Sequence, residues 1–308
     1  MNLKEFAEKK SILVSGHKSC SGCGFPTIFR HVLAGTNNKV VITMGTSCSV
    51  VVNATYPHSS WVTPNIHSVF ANSGATMSGM ETAYRHLKKN KKIKEDVKFL
   101  ALIGDGGTYD IGLQALSGAI ERNHDFLYVC YDNESYMNTG GQRSSATRHG
   151  TSTTTTPEGI IWHGKPSYRK NLTEIIACHD IPYAAQATTW PFGDLVEKAR
   201  KGFEVKGPAF LNVLSPCVLF WGINTGIAVK LSKLAMQTCF WPSYEVINGE
   251  HKLTYKPKHK LPVTEFLKHQ KRFKHLMKQE NKQTLKELQE RIDLEWQALL
   301  KKCGEKEL

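Results

Sequence analysis

The sequence lacks the apolar segments that membrane proteins and secreted precursors carry. It has no uninterrupted run of eighteen apolar residues, about the length that a transmembrane helix requires. Its first residues, MNLKEFAEKKSILVSGHK, carry charges where a signal peptide would have an apolar segment. We therefore expect a cytoplasmic protein without membrane insertion. With 308 residues, of which 40% are hydrophobic, the chain can bury a full core.

Acidic residues are also scarce. The chain contains 27 Asp and Glu residues against 40 Lys and Arg, which gives a formal net charge of +13. Residues 250–308 hold 15 basic and 9 acidic residues, so this tail contributes +6 of that charge. A basic protein invites a nucleic-acid interpretation, but no recognition-helix or zinc-finger pattern is present. We expect no nucleic-acid partner, because a basic surface equally suits an acidic protein.

Several metal-binding motifs are missing as well. There is no HExxH pair, so the histidines are predicted to be loop or core residues rather than ligands. They include His17, His58, His67 and His149. The chain has neither a CxxCxxCxxxCP ferredoxin run nor the second CxxC of a zinc ribbon. Its eight cysteines are still more typical of metal ligands or buried thiols than of disulfides in a cytoplasmic protein.

The middle of the sequence carries the most informative pattern. An apolar run, Phe99–Ile103, predicts a buried strand that ends in the turn Gly104–Gly107, which reads GDGG. A helical pattern over Ile111–Glu121 follows. A second buried strand, Phe126–Asp132, then ends at Asn133. Strand, helix and strand in this order predict a unit of parallel sheet.

Two oxygen-bearing side chains follow these strands. Asp105 and Asn133 are placed at the carboxyl ends of the two strands, where open α/β sheets bind their ligands. Their oxygens suit Mg²⁺, which commonly takes further ligands from phosphates, and the glycines allow backbone N–H groups to approach those phosphates. An isolated GDG is more often only a turn that requires glycine. The 28-residue separation of Asp105 from Asn133 makes the pattern more specific.

Further apolar runs extend the sheet. Val40–Met44, Tyr183–Ala187 and Phe210–Leu214 are predicted strands. Pro26–Leu33 and Ser68–Leu87 have helical patterns. Strands that alternate with helices predict an α/β fold with a doubly wound, mostly parallel sheet.

The predicted topology brings four residues to one edge of this sheet. Each of them follows a different predicted strand at its carboxyl end: Cys48, Asp105, Asn133 and Cys217. Two kinds of metal chemistry are therefore expected at the same edge.

After about residue 225 the strand patterns fade. We predict an α/β domain over residues 1–225 and a basic, helix-rich extension over residues 226–308 that makes subunit contacts. One apolar face recurs at spacings of three and four near the C-terminus, formed by Leu285, Leu288, Ile292, Trp296 and Leu299. This face could pack on its own domain or on a partner. Residues 147–170, with a threonine run at 152–156, are predicted to be a loop.

The cysteines fall into two groups. Cys20 and Cys23 form a CxxC pair, to which Cys48 and Cys217 add two distant thiols. Four thiolates fit either zinc or an iron–sulfur cluster, and the residues alone slightly favour zinc because isolated CxxC pairs are common in zinc sites. The other cysteines are predicted to be structural thiols: Cys130, Cys178, Cys239 and Cys303.

The pattern also resembles a known family. The spacing of Asp105 and Asn133 is similar to the thiamine-diphosphate signature. The segments GDGGTYDIGLQALSGAIERNHDFLYVCYDNESYMNTGGQRSSAT and EFLKHQKRFKHL resemble the β subunit of the pyruvate:ferredoxin oxidoreductase (pyruvate synthase) family of 2-oxo acid:ferredoxin oxidoreductases. The resemblance runs from about residue 16 to residue 275. It implies a pyrophosphate-type thiamine-diphosphate-binding domain.

The resemblance assigns ligands to three cofactors. It implies that Cys20, Cys23, Cys48 and Cys217 hold a [4Fe–4S] cluster, and that Asp105, the Asn133 side chain and the Ser135 carbonyl bind Mg²⁺. It also implies that thiamine diphosphate contacts Cys48, Gly104, Asp105, Gly106, Gly107, Asn133, Glu134, Ser135, Tyr136, Met137 and Asn138. Asn138 would be the catalytic residue that reaches towards the reacting centre.

The activity implied by the resemblance is oxidative decarboxylation of pyruvate to acetyl-CoA and CO₂, with electrons passed to ferredoxin. The chain has no candidate for the glutamate that activates the cofactor, so we expect activity only with partner subunits. Oxalate or a branched 2-oxo acid is an alternative substrate. A zinc-stabilised, non-catalytic assembly subunit is an alternative of another class.

Several positions depart from the usual family pattern. They are Phe25, Ser49, Gly141, the pair Arg148-His149, and Val218-Leu219-Phe220. If Arg148 points into the pocket, its guanidinium would favour a second carboxylate, as in oxalate. We expect Arg148 to face solvent instead, because loops expose their charges, and we keep pyruvate as the leading substrate.

Overall fold

The apolar runs at the centre of the sequence form the centre of the sheet. The structure, a computed structural model, describes residues 3–55 and 57–306. Within these residues an eight-stranded sheet has the order β10-β9-β7-β8-β6-β5-β1-β4, and β2 and β3 form a separate hairpin. The strands are β1 (Lys39–Gly45), β2 (Ala54–Thr55), β3 (His58–Ser59), β4 (Asn65–Ser68), β5 (Val97–Gly104), β6 (Phe126–Asp132), β7 (Tyr183–Ala187), β8 (Pro208–Leu214), β9 (Tyr244–Ile247) and β10 (Glu250–Leu253). The predicted doubly wound, mostly parallel sheet is confirmed.

Helices cover both faces of the sheet. The α-helices are α1 (Leu3–Glu8), α2 (Gly24–Ala34), α3 (Cys48–Val51), α4 (Ser73–Lys89), α5 (Leu113–Glu121), α6 (Leu172–Ala177), α7 (Asp194–Glu204), α8 (Val218–Trp221), α9 (Ala228–Gln237), α10 (Thr264–Leu267) and α11 (Lys282–Lys302). A π-helix spans Gly106–Ile111, and two 3-10 helices span Lys271–Met277 and Gln279–Asn281. No helix of the described residues has the length and apolar character needed to cross a bilayer.

Side chains of one strand alternate between two buried cores. In β5, Phe99, Ala101 and Ile103 join the core under α4, α5 and the C-terminal helices. Leu100 and Leu102 point the other way and pack with α2 and α7. Both faces of the strand are therefore buried, which is why the central strands read as continuous apolar runs.

The sheet continues beyond residue 225, where the sequence patterns had faded. Strand β9 pairs antiparallel with β7, and β10 pairs antiparallel with β9. The tight turn between them contains Asn248 (φ 49°) and Gly249 (φ 85°), the residue pair most typical of such hairpins. The sequence did not predict these two strands, because charged residues interrupt their short apolar patterns. The domain boundary at residue 225 stays a prediction.

The apolar face of the terminal helix packs on its own chain. Leu288, Ile292, Trp296 and Leu299 of α11 are buried in the same core as Phe99 of β5. Burial of four large side chains stabilises this packing by several kcal/mol, at ~1.5–3 kcal/mol for each side chain. Of the two arrangements left open by the sequence, the described structure has the intramolecular one.

Candidate functional site

A cavity opens where the direction of the chain across the sheet reverses. After β1 the chain moves outward to β4, whereas after β5 it moves to β6 on the other side. Such switch points are where open α/β sheets bind ligands. The cavity has a volume of about 30 Å³. It is lined by Ser47, Cys48, Phe70, Gly104, Asp105, Gly106, Gly107, Tyr131, Asn133, Ser135, Tyr136, Met137, Asn138 and Thr139.

Most residues predicted from the sequence lie in this lining. The sequence did not single out Ser47, Phe70, Tyr131 or Thr139. Ser47 and Thr139 adjoin predicted residues, so sequence proximity was a usable signal for both. Phe70 follows the short strand β4, which was not predicted, and Tyr131 lies within a strand that was assigned only to the core.

The glycine turn brings the backbone close to an aromatic wall. The turn begins a π-helix at Gly106, five residues before the predicted helix start. A Cβ atom on Gly106 would lie 2.2 Å from the ring of Tyr136. The Tyr136 hydroxyl donates hydrogen bonds to the Gly106 carbonyl at 3.1 Å and to Asp110 Oδ2 at 2.9 Å. Only glycine fits this close approach.

Asp105 is a buried carboxyl group, with only 1% of its surface exposed. Burial, together with the nearby Asp132 and Glu134, raises the pKa of the Asp105 carboxyl well above its usual range. The hydroxyl of Ser144 donates a hydrogen bond to it. A divalent cation would offset the charge of an ionised Asp105 here, so the donor set fits Mg²⁺.

Asn133 and Ser135 face the same cavity from the end of β6. The Asn133 Oδ1 atom accepts hydrogen bonds from the Ser135 backbone N–H and hydroxyl, both at 3.1 Å. The Ser135 carbonyl accepts one from Met137 N–H at 2.9 Å and retains a second lone pair. Between them, Glu134 has a left-handed backbone (φ 67°), which is uncommon for a residue other than glycine. Asn133 and Ser135 therefore face the cavity, whereas Glu134 between them does not.

Glu134 does not present its side chain to the cavity. The carboxylate is fully buried on the opposite side of the turn. Arg272 Nη2 lies 2.6 Å from Glu134 Oε2, without the alignment of a hydrogen bond. Glu134 is thus the one predicted cofactor contact that is not among the residues of this cavity wall, and its contact with the cofactor stays a prediction. Asn138, by contrast, is exposed at the cavity mouth.

The four predicted cluster cysteines lie close enough to affect one another's ionisation. Burial raises the pKa of Cys23 to about 11, and Cys217 and Cys20 add to the shift. Burial likewise raises the pKa of Cys48 to about 12, with contributions from Cys217, Cys23, Asp105 and Cys20. Cys48 also lines the cavity described above. One cysteine therefore belongs to both groups of residues.

Backbone contacts hold the CxxC loop against the loop that carries Cys217. The Gly24 N–H donates to the Pro216 carbonyl at 3.2 Å. A Cβ atom on Gly22 would lie only 2.2 Å from the Thr225 carbonyl oxygen. Because these loops are distant in sequence, only the sheet brings them together. Of the other cysteines, Cys130 and Cys239 are buried, Cys303 is partly buried and Cys178 is exposed.

The expectation that Arg148 faces solvent was wrong, and it does not line the cavity of Asp105 either. Its Nη1 donates to Glu295 of α11 at 2.7 Å and its Nη2 donates to the Phe240 carbonyl at 2.6 Å. Burial opposes ionisation of Glu295, but Arg148 and Arg291 prevail and lower its pKa to about 2. Arg148 therefore links the loop to the terminal helix. The adjacent His149 contacts Glu287 of the same helix at 3.1 Å.

The other departures from the family pattern lie around the cavity without lining it. Phe25 is buried against Phe29 and Tyr131, with ring centroids 4.4 and 5.1 Å apart. Ser49 is fully buried and shares a hydrogen bond with Ser47 at 2.9 Å. Gly141 has φ 81° and faces Phe220. Neither Gly141 nor Arg148 is among the residues of the cavity wall.

The fold and the cavity agree with a match to a known domain. Residues 43–213 match the family model of the thiamine pyrophosphate enzyme, C-terminal TPP binding domain. A solved 2-oxoglutarate:ferredoxin oxidoreductase from Magnetococcus marinus aligns with a TM-score of 0.57 over 74% of this chain and 80% of that chain. At 22% sequence identity, this likeness supports the fold alone. The chain thus has the thiamine-diphosphate-binding fold.

Curated relatives narrow the family. Pyruvate synthase subunit PorB of Thermotoga maritima is 46% identical, with 96% of this chain and 94% of the relative covered. The protein of the same name from Methanosarcina barkeri is 45% identical over 88% and 90%. Ketoisovalerate oxidoreductase subunit VorB of Pyrococcus horikoshii is 38% identical over 93% and 92%. The chain therefore belongs to the pyruvate synthase (pyruvate:ferredoxin oxidoreductase) β-subunit family and is an enzyme subunit.

Proposed function

We propose that this chain is the thiamine-diphosphate- and [4Fe–4S]-carrying β subunit of a 2-oxo acid:ferredoxin oxidoreductase that converts pyruvate to acetyl-CoA and CO₂. The observation that carries this proposal is the position of Cys48. It lines the same cavity as Asp105 and Asn133, and it lies within electrostatic reach of Cys20, Cys23 and Cys217. A cofactor and a redox cluster would thus be neighbours.

The proposed magnesium site consists of Asp105, the Asn133 side chain and the Ser135 carbonyl. Bound there, thiamine diphosphate supplies an electron sink for decarboxylation of a 2-oxo acid. The chain's own residues hold the diphosphate end: the glycine turn offers backbone N–H groups, and the buried Asp105 anchors the cation. Met137, Tyr136 and Phe70 line the cavity wall and would exclude water from it, and Asn138 at its mouth would reach towards the substrate.

We place a [4Fe–4S] cluster, rather than a single zinc ion, at the four cysteines. Four thiolates can hold either group. Iron–sulfur clusters exchange electrons, whereas zinc has no redox chemistry. Because the VorB relative is named an oxidoreductase subunit, the redox-active group is preferred over the zinc-stabilised assembly subunit.

Partners complete the proposed enzyme. Among the residues that the structure describes, Asp105 is the one acidic side chain in the cavity wall, and it is assigned to the cation. The carboxylate that activates the cofactor would therefore come from another subunit. Ferredoxin would accept the electrons and coenzyme A the acyl group, and the reaction would take place in the cytoplasm. The basic surface suits an acidic electron acceptor.

Pyruvate is the proposed substrate because the most similar of the relatives above are named pyruvate synthase subunits. A branched 2-oxo acid is the second candidate, since the VorB relative is named for ketoisovalerate. The argument for oxalate required Arg148 in the pocket, and Arg148 is bound to Glu295 instead.

The test is substrate-dependent reduction of ferredoxin by the complex reconstituted with this chain. We expect the rate with pyruvate to exceed the rates with 2-oxoisovalerate and oxalate. The Arg148→Pro variant is the matched probe, and it should not change the order of preference. A preference for oxalate that Arg148→Pro reverses would overturn the choice of pyruvate. A colourless, zinc-containing chain after anaerobic purification would overturn the proposed cluster and its redox role, since iron–thiolate clusters absorb visible light.

A further inference from the structure

Arg272 is a buried cation next to the element that follows Cys217. It lies in the 3-10 helix Lys271–Met277 and is 4% exposed. Its guanidinium carbon is 4.2 Å from the ring centroid of Trp221 and 5.3 Å from that of Phe220. Both rings belong to helix α8, which begins directly after Cys217. The stacking fixes the position of the charge relative to this cysteine.

The other side of Arg272 faces the cofactor turn. Its Nη2 atom lies 2.6 Å from Glu134 Oε2, and Glu134 stands between Asn133 and Ser135. The indole N–H of Trp221 also donates a hydrogen bond to the Asn133 carbonyl at 3.0 Å. Two contacts thus tie the turn that carries the proposed magnesium ligands to the Arg272–Trp221 pair.

The neighbouring arginines do not replace Arg272. Arg169 is 3.1 Å from Asp132 and 3.5 Å from Glu134. Arg148 is 2.7 Å from Glu295 and 4.0 Å from Glu134. Each therefore has a closer carboxylate of its own, whereas Glu134 is the carboxylate that lies against Arg272. Burial of all these groups makes each charge costly without its partner.

Arg272 also lies near Cys217. Trp221, on whose ring the guanidinium stacks, donates its backbone N–H to the Cys217 carbonyl at 2.9 Å. A fixed positive charge stabilises any negative charge that develops beside it, and more strongly in a poorly solvated site. A reduced cluster carries one more negative charge than an oxidised cluster.

We propose that Arg272 is a positioning residue shared by both redox groups. It holds the Asn133–Ser135 turn through Glu134, and it raises the reduction potential of the cluster bound at Cys217. This inference depends on the cluster and cofactor of the proposed function. Arg272 thereby has two separable actions: its planar guanidinium holds Glu134, and its positive charge acts on the cluster.

The action of the Arg272 charge is tested by a redox titration of the cluster, monitored by electron paramagnetic resonance. The sample is the full chain, reconstituted anaerobically with iron and sulfide. Arg272→Gln should shift the midpoint to a more negative potential. Arg272→Lys should keep it near that of the unsubstituted chain. Glu134→Gln should shift it the opposite way, because the cation then loses its neutralising partner. Arg200→Gln, at a half-exposed arginine on α7, should leave it unchanged.

The action of the planar guanidinium on Glu134 is tested by measuring thiamine-diphosphate retention in the assembled complex. Arg272→Lys and Arg272→Gln should both bind the cofactor about ten- to a hundredfold more weakly, the usual effect of losing a partner behind a metal ligand. Arg200→Gln should retain it fully. A merely structural role would lower thermal stability without opposite shifts of potential in Arg272→Gln and Glu134→Gln.

The outcomes separate this inference from the proposed function. Normal iron content with an unchanged potential in both Arg272→Gln and Glu134→Gln would overturn the inference and leave the cluster standing. No iron in the unsubstituted chain would overturn the proposed function instead. If Arg272→Gln fails to fold, two results still decide the question. One is the shift of the reduction potential in Glu134→Gln. The other is a reduction potential that Arg272→Lys keeps while its thiamine-diphosphate retention falls.

Discussion

The two halves of the site are built in different ways. The proposed magnesium ligands lie within one segment, residues 97–138, which forms a strand, a glycine turn, a helix and a second strand. The four cysteines come from three separate segments of the chain, around Cys20 and Cys23, at Cys48 and at Cys217. Local backbone geometry determines the first half, whereas long-range contacts such as Gly24 N–H to the Pro216 carbonyl determine the second. Substitutions of residues that belong to one half alone should therefore leave the other half largely intact.

The largest expected effect comes from a substitution in the half of the site that holds the cofactor. Asp105→Ala should abolish thiamine-diphosphate retention by the complex, because the diphosphate and Mg²⁺ lose their buried anionic ligand. Iron content should stay the same. Asp96→Ala, at an exposed carboxylate, is the control and should bind the cofactor normally. Equal retention in Asp105→Ala and the unsubstituted protein would refute the assignment of Asp105.

The next largest effect comes from a substitution in the half of the site that contains the four cysteines. Cys217→Ser should lose the cluster although Cys217 is far in sequence from Cys20, because the loops are in contact through Pro216 and Gly24. Cys178→Ser, at an exposed thiol, and Cys303→Ser should keep it. Iron analysis of the three variants is the measurement. Iron lost from Cys178→Ser and kept by Cys217→Ser would mean that the ligand set is wrong.

The smallest effect tests how closely the backbone of the cofactor half is packed. Gly106→Ala should cost about 1–3 kcal/mol of unfolding free energy, because its Cβ would overlap the ring of Tyr136. Gly79→Ala is the matched control: it lies in α4 with open space around it and should stabilise by roughly 0.5–1 kcal/mol. Denaturant unfolding checks both. A Gly106→Ala protein as stable as Gly79→Ala would show that the Tyr136 ring moves aside without loss of unfolding free energy.

Much of the sheet could be predicted from the sequence. Strands β6 and β7 begin and end where the apolar runs predicted them, because a strand buried on both faces leaves an unbroken hydrophobic run. The hairpin of β9 and β10 was missed, although Asn248-Gly249 is a strong turn signal. Its strands are short and carry charged residues such as Glu245 and Lys252, so periodicity alone did not indicate them.

The candidate site was predictable to the extent that it is local. Asp105 and Asn133 follow adjacent parallel strands, so their approach was implied by the order of elements. Arg148 was misplaced because a charged residue in a loop is ordinarily exposed. It is buried because Glu295, far along the chain, and the Phe240 carbonyl bind its guanidinium.

The sequence by itself determined the fold class and the glycine turn, and it singled out the oxygen and sulfur atoms that are proposed as donors. Periodicity and turn chemistry act over a few residues, so they can be read without coordinates. Only the tertiary structure decided that Glu134 faces Arg272 rather than the cavity, that Cys48 borders both groups, and that α11 packs on its own chain. Those contacts join residues far apart in the chain, and the packing of the whole sheet and its helices selects them.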